Sequence, residues 1–337
     1  MPRRSAKPTQ PAKHPENALV TAVTGGDLGA VSEALNQIDD NRPENREAAL
    51  SLLDAIEGRG RGPRIGVTGA PGSGKSTLLD ALVIGLRKRD LSVGILAVDP
   101  SSQRTGGALL GDRMRLGSAA RDSGVFLRSL AARDQLGGLS EITGASLDVM
   151  QAAFDIVFIE TVGVGQSEAF VVDIVDSLIF VAQPAAGDLI QFMKAGILEW
   201  PDIFFVNKSD LGDAARRTSA ELKAGLDLGG RRDADFVPKV LCGSALDSVG
   251  IDELIDAIED HQQMLKTSGR GDVRRAAGRA ARVRSVLMTQ YGRFGLGQLT
   301  GEFEVEVYVG AKPHSSVERV ADELGRQIVK MLGSKAL

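Results

Sequence analysis

Residues Gly69-Ala70-Pro71-Gly72-Ser73-Gly74-Lys75-Ser76 read G-x-x-x-x-G-K-S, with Thr77 next. They sit between a β-branched run, Arg64–Thr68, and a stretch with leucines at 78, 79, 82 and 86. A strand, a glycine-rich loop and a helix in that order make a phosphate cradle. Glycines let backbone N–H groups turn inward, and the helix N-terminus adds partial positive charge. Lys75 then puts a point charge on the outer phosphates, and the Ser76 hydroxyl is placed to coordinate Mg²⁺.

Asn207-Lys208-Ser209-Asp210 follows the run Ile203–Val206. The Asp210 carboxylate can accept from both the ring N–H and the exocyclic amine of guanine. Adenine offers no such pair of donors. An unmade bond to a charged group costs about 1.5–3 kcal/mol, enough to choose between bases. Asn207 and Lys208 would brace the loop and cover the ring. Ser244-Ala245 supplies a second base-contacting loop, a weak match alone. Glu160, with Thr161-Val162-Gly163, ends the run Ile156–Ile159. An acid there would hold a metal-bound water, and the Gly163 N–H would sense the terminal phosphate. Asp99 ends Val93–Val98 and would join the metal site if that strand neighbours the P-loop strand. The glycine-rich segment Gly106–Arg113 ends in Asp112-Arg113. It reads as a switch loop bringing Asp112 to the metal shell or the attacking water. The plain alternative is a surface loop with an exposed ion pair.

The elements that would position these residues alternate in type. Short apolar runs occur at Arg64–Thr68, Val93–Val98, Gly124–Leu127, Ile156–Ile159, Ser177–Ala182, Ile203–Val206 and Lys239–Cys242, with helical spacings between them. Near-continuous apolarity suits strands buried on both faces. Alternation with helices implies an α/β fold, a doubly wound and mostly parallel sheet. This nucleotide-binding domain spans 63–263 and closes with a helix at Ile251–Gln262. Before it, 16–62 reads as a helical extension, ending in the flexible linker Gly58–Pro63. Residues 1–15 carry Arg3, Arg4, Lys7 and Lys13 and no acid. With no apolar stretch behind those charges, the reading is a disordered tail rather than a secretory signal.

The segment 264–337 differs in composition. Between Lys266 and Arg284, seven basic residues, Lys266, Arg270, Arg274, Arg275, Arg279, Arg282 and Arg284, face one acid, Asp272. Val273, Ala276, Ala280, Val283 and Leu287 form a helical stripe, so the reading is an amphipathic arm with a solvated basic face. A patch for nucleic acid or membrane is the alternative. The alternation Phe303–Val309 (F-E-V-E-V-Y-V) predicts a half-buried strand, and a last helix runs from Ser315 to Leu332.

Composition excludes several function classes. Forty basic against 44 acidic residues, a net charge of −4, rule out a globally basic nucleic-acid binder. One cysteine and three histidines rule out a disulfide framework and a multi-cysteine zinc site. No apolar run reaches the length of a membrane span, and cytoplasm is the default address.

Taken together these residues resemble the methylmalonyl-CoA mutase-associated GTPases, the MeaB/ArgK group (MMAA in animals), within the SIMIBI class of P-loop proteins. The resemblance covers about Leu19 to His261. It rests on T-G-A-P-G-S-G-K-S-T at 68–77, V-D-P-S-S at 98–102, T-G-G-A-L-L-G-D-R at 105–113, E-T-V-G-V-G-Q-S-E at 160–168 and N-K-S-D at 207–210. It implies GTP hydrolysis with Mg²⁺, a homodimer formed through a helical C-terminal segment, and an adenosylcobalamin-dependent acyl-CoA mutase as partner. The GTPase would gate cofactor loading and guard the mutase from inactivation. The family's third switch maps onto Gly187–Lys194, with Asp188, Gln191 and Lys194 at its polar positions. Lys194 would couple partner binding to hydrolysis. Competing readings are a nickel-enzyme maturation GTPase, which needs Cys or His ligands, a kinase of a transport protein, and a nucleotide-gated scaffold.

Overall fold

The apolar runs become the strands of a single sheet. In the computed structural model, which describes residues 18–40, 42–99, 122–131, 141–161, 168–184, 199–228 and 236–335, these are β1 (Arg64–Thr68), β2 (Val93–Asp99), β3 (Val125–Ala131), β4 (Ile156–Glu160), β5 (Ser177–Ala182), β6 (Ile203–Val206) and β7 (Lys239–Cys242). Their order across the sheet is β3-β2-β4-β1-β5-β6-β7, and every pair is parallel. The central runs are buried on both faces, with β5 and β6 buried throughout. That is why they read as unbroken apolarity rather than alternation. β3 runs past its expected end. It is an edge strand, and its polar Arg128 bonds to Asn36 outside the sheet.

Among the described residues the helices are α1 (Ala18–Thr24), α2 (Leu28–Asp39), α3 (Arg46–Ile56), α4 (Lys75–Lys88), α5 (Glu141–Ala153), α6 (Glu168–Ile174), α7 (Asp213–Leu228), α8 (Ile251–Ser268), α9 (Arg270–Leu296), α10 (Val305–Ala311) and α11 (Val317–Lys335). One core joins α1–α3, α5 and α6 to one face of the sheet, and a second joins α4 and α8 to the other. A third lies inside the C-terminal helices, built on Val283, Leu287, Val305, Val320, Leu324 and Ile328.

Two expectations for the C-terminal segment are overturned. Residues 303–309 are not a strand. A short turn, Gly301–Phe303, leads into α10, which buries Val305 and Val309 and leaves Val307 half exposed. Residues 305 and 309 are four apart, so this alternation satisfies the helical period as well as the strand period. Tyr308 settles the choice by reaching α11, where its hydroxyl donates to Glu323 at 3.0 Å. Nor is the basic face of α9 solvated throughout. Arg282 is buried and Arg274 nearly so, bonded to Asp148 and Asp202, while Arg275 and Arg284 stay about half exposed. The first residues of the expected apolar stripe, Val273 and Ala276, face outward instead.

Candidate nucleotide site

Because every strand is parallel, the loops following β1, β4, β5, β6 and β7 emerge at one edge, where ligands of open α/β sheets bind. The loop after β1 is fixed by two close approaches. Gly69 has φ 141°, and a Cβ there would lie 2.2 Å from the Val181 carbonyl oxygen. Gly74 has φ 92°, and a Cβ would lie 2.4 Å from Asn207 Nδ2. Only glycine fits either position. Lys75 opens α4 and is buried, its ammonium donating to the carbonyls of Gly69 at 2.9 Å and Ala70 at 3.2 Å. The cation is thus held over the loop that includes Pro71, Gly72 and Ser73.

Ser76 Oγ donates to Glu160 Oε1 at 2.7 Å. β1 and β4 are direct neighbours, with Val67 opposite Glu160. The adjoining Thr161 hydroxyl donates to Thr68 at 3.0 Å. A hydroxyl and a carboxylate side by side are oxygen donors of the kind a hard divalent cation takes, so Ser76 and Glu160 fit Mg²⁺.

The loops after β6 and β7 are tied to the P-loop by one side chain. The buried Asn207 amide donates through Nδ2 to Ser73 O at 2.9 Å and accepts at Oδ1 from Ala245 N–H at 3.0 Å. Lys208 reaches back, its ammonium donating to Gly72 O at 2.9 Å and Gln183 Oε1 at 3.2 Å. Asp210 lies in the single turn Ser209–Leu211 with its side chain exposed at the same edge. Ser244 is buried, donating to Asp247 Oδ2 at 2.7 Å, and its backbone pairs with Val249 to close the second loop.

The expected residues of the P-loop, Glu160, Asn207, Lys208, Ser244 and Ala245 therefore meet at one site. Asp99 does not satisfy the condition set for it. β2 neighbours β4, and β4 separates it from the P-loop strand β1. Asp112, Gly163 and Lys194, with the switch segment 187–194, lie outside the described residues. The sequence reading missed Gln183. Its signal was its position, the first residue after the strand beside the P-loop strand.

This fold and the glycine-rich loop after β1 define a P-loop nucleotide-binding protein. The family of the methylmalonyl Co-A mutase-associated GTPase MeaB matches residues 31–292. The chain belongs to that family and is a GTPase. It is 41% identical over 264 residues to a probable GTPase of Mycobacterium tuberculosis, covering 77% of this chain and 78% of the other. It is 37% identical over 249 residues to the GTPase ArgK of Escherichia coli, covering 73% and 75%. The methylmalonic aciduria type A homolog of Mus musculus is 36% identical over 266 residues, covering 74% and 64%. Among solved structures, a LAO/AO transport system kinase superposes with a TM-score of 0.68 at 27% identity, covering 93% of this chain and 96% of that one.

Proposed function

We propose that the protein hydrolyses GTP with Mg²⁺ as a switch on an adenosylcobalamin-dependent acyl-CoA mutase of the methylmalonyl-CoA mutase type. In this reading it gates cofactor loading and protects or reactivates the mutase, working in the cytoplasm as a homodimer through 264–337. The observation that carries the nucleotide reading is the Asn207 amide, which joins the phosphate loop at Ser73 to the base loop at Ala245. The family description and the name of the mouse relative support the partner.

Each group has a part. Lys75 draws charge from the outer phosphates, and Asp210 judges the purine. Mg²⁺, when bound by Ser76 and Glu160, supplies charge neutralisation at the phosphates. Asp112 completes the metal shell, Gly163 senses the terminal phosphate, and Lys194 couples the partner to turnover. None of the candidate residues is an evident strong general base, so slow intrinsic turnover is expected, with a marked rise in single-turnover rate on adding the mutase. Equal rates with and without it would remove the partner from the mechanism. Following labelled γ-phosphate to water, rather than to a protein acceptor, separates a hydrolase from a kinase.

Asp210→Asn tests the base site. Converting the carboxylate to an amide removes a charged acceptor, so GDP affinity is expected to fall roughly 10- to 100-fold, with preference moving toward xanthine nucleotides. Competition between GDP and XDP measures this. Unchanged selectivity would take Asp210 out of the pocket.

A further inference from the structure

Gln183 stands just beyond β5, and β5 lies between β1, which leads into the P-loop, and β6, which leads into Asn207. Parallel order therefore sets Gln183 between the phosphate loop and the base loop. Its amide oxygen accepts from the Lys208 ammonium at 3.2 Å, while the same ammonium donates to Gly72 O at 2.9 Å. A lysine only donates, so this contact fixes which end of the Gln183 amide faces it. A Cβ built on Gly72 would lie 3.9 Å from that amide oxygen. The amide thus rides over the turn of the P-loop.

Lys208 needs holding. Its backbone sits at φ 58° and ψ 47°, a left-handed conformation shared among the described non-glycine residues only by Asp90 and Ser248, which also have positive φ. Such a placement is strained for a residue with a Cβ and persists only where its surroundings over-determine it. Behind Lys208, Ser209 N–H donates to Gly243 O at 2.9 Å. At its tip the two oxygens from Gly72 and Gln183 pin a long side chain that would otherwise sample many rotamers.

We propose that Gln183 is a positioning residue of the guanine site. It keeps Lys208 stretched across Gly72, so that the lysine stem forms the apolar cover of the purine and the base loop keeps its spacing from the P-loop. This rests on the reading of Asn207–Asp210 as the guanine loop. The cover is the same for both nucleotides, so Gln183 contributes to binding uniformly and not to the chemical step.

Gln183→Leu in the full chain keeps the volume and removes the acceptor. Calorimetry with GDP and with a non-hydrolysable GTP analogue is expected to show both bound five- to tenfold more weakly. The KM for GTP should rise by the same factor, with kcat within twofold of wild type and an unchanged melting curve. In a Lys208→Met background the same substitution should change nothing further, because the residue acts through Lys208. Unchanged affinity in Gln183→Leu, a fall in kcat with KM constant, or the full loss persisting in the Lys208→Met background would each overturn the brace. Asp210→Asn, run in parallel, reports on the guanine loop separately. Unchanged GDP affinity there overturns that reading, whereas the Gln183 outcomes bear on the brace.

Discussion

Lys75→Ala is expected to lower the single-turnover rate of GTP hydrolysis by roughly 10²–10³-fold, the scale on which removal of one preorganised charge or donor acts at a reacting centre. The ammonium is buried at the mouth of α4 and held by the Gly69 and Ala70 carbonyls, so it costs little reorganisation when charge builds on the outer phosphates. Those two carbonyls lose a partner in the variant, a stability cost of about 1 kcal/mol, which is small beside the loss of rate. Lys75→Arg is expected to fail similarly. A planar fork on a longer stem does not occupy the place of a compact ammonium, and only 8% of Lys75 is exposed. Labelled GTP at saturating enzyme measures the rate, and a melting curve controls for folding. Hydrolysis within tenfold of wild type would place the triphosphate elsewhere.

Some of this site was legible because its information is local. Glycines 69 and 74, Lys75 and Ser76 are neighbours in the chain, and the backbone conformation they need restricts residue type directly. Asn207 to Asp210 follows the same logic at a strand end. The strands were legible because both faces of β5 and β6 are buried. What was not legible is long-range. Nothing within Val93–Asp99 announces that β4 lies between it and β1, so the position of Asp99 relative to the metal donors could only be stated conditionally. The arginines of α9 looked like a solvated face because their carboxylate partners, Glu57, Asp148, Asp176 and Asp202, lie far away in the chain. In residues 303–309 an alternating pattern also fitted helical spacing, and packing against α11 decided between them.

That misread arginine face supports the largest stability effect expected in the molecule. Arg282 is 6% exposed. It donates to Asp148 at 2.8 and 3.2 Å from α9 to α5, and to Glu318 of α11 at 2.9 Å. Asp148 also accepts from Arg64, the first residue of β1, at 2.7 Å. Gly144 makes room for the guanidinium, since a Cβ there would lie 2.6 Å from Arg282 Nε. One side chain thus joins the C-terminal helices to the P-loop strand by way of α5. Burial would raise the Asp148 carboxyl, but the charges of Arg282 and Arg64 and their hydrogen bonds outweigh it and hold the group below the usual carboxylate range. A depressed carboxylate contributes its stability fully above the unfolded value, near 3.9, and loses it only as pH falls through the folded one. The comparison therefore belongs at neutral pH. Arg282→Ala leaves two buried carboxylates short of their counter-charge, which costs about 3–5 kcal/mol. A cavity of about 150 Å³, lined in part by Glu57, Arg64, Asp148 and Arg282, adjoins the pair. Water reaching the stranded groups through it would keep the loss toward the lower end of that range. Arg284 lies two residues along the same helix and pairs with Glu306 at the surface, so Arg284→Ala should cost no more than about 1 kcal/mol. Urea unfolding of both variants at neutral pH separates the cases. An Arg282→Ala midpoint as close to wild type as that of Arg284→Ala would mean that the C-terminal helices are held to the sheet by something other than this buried seam.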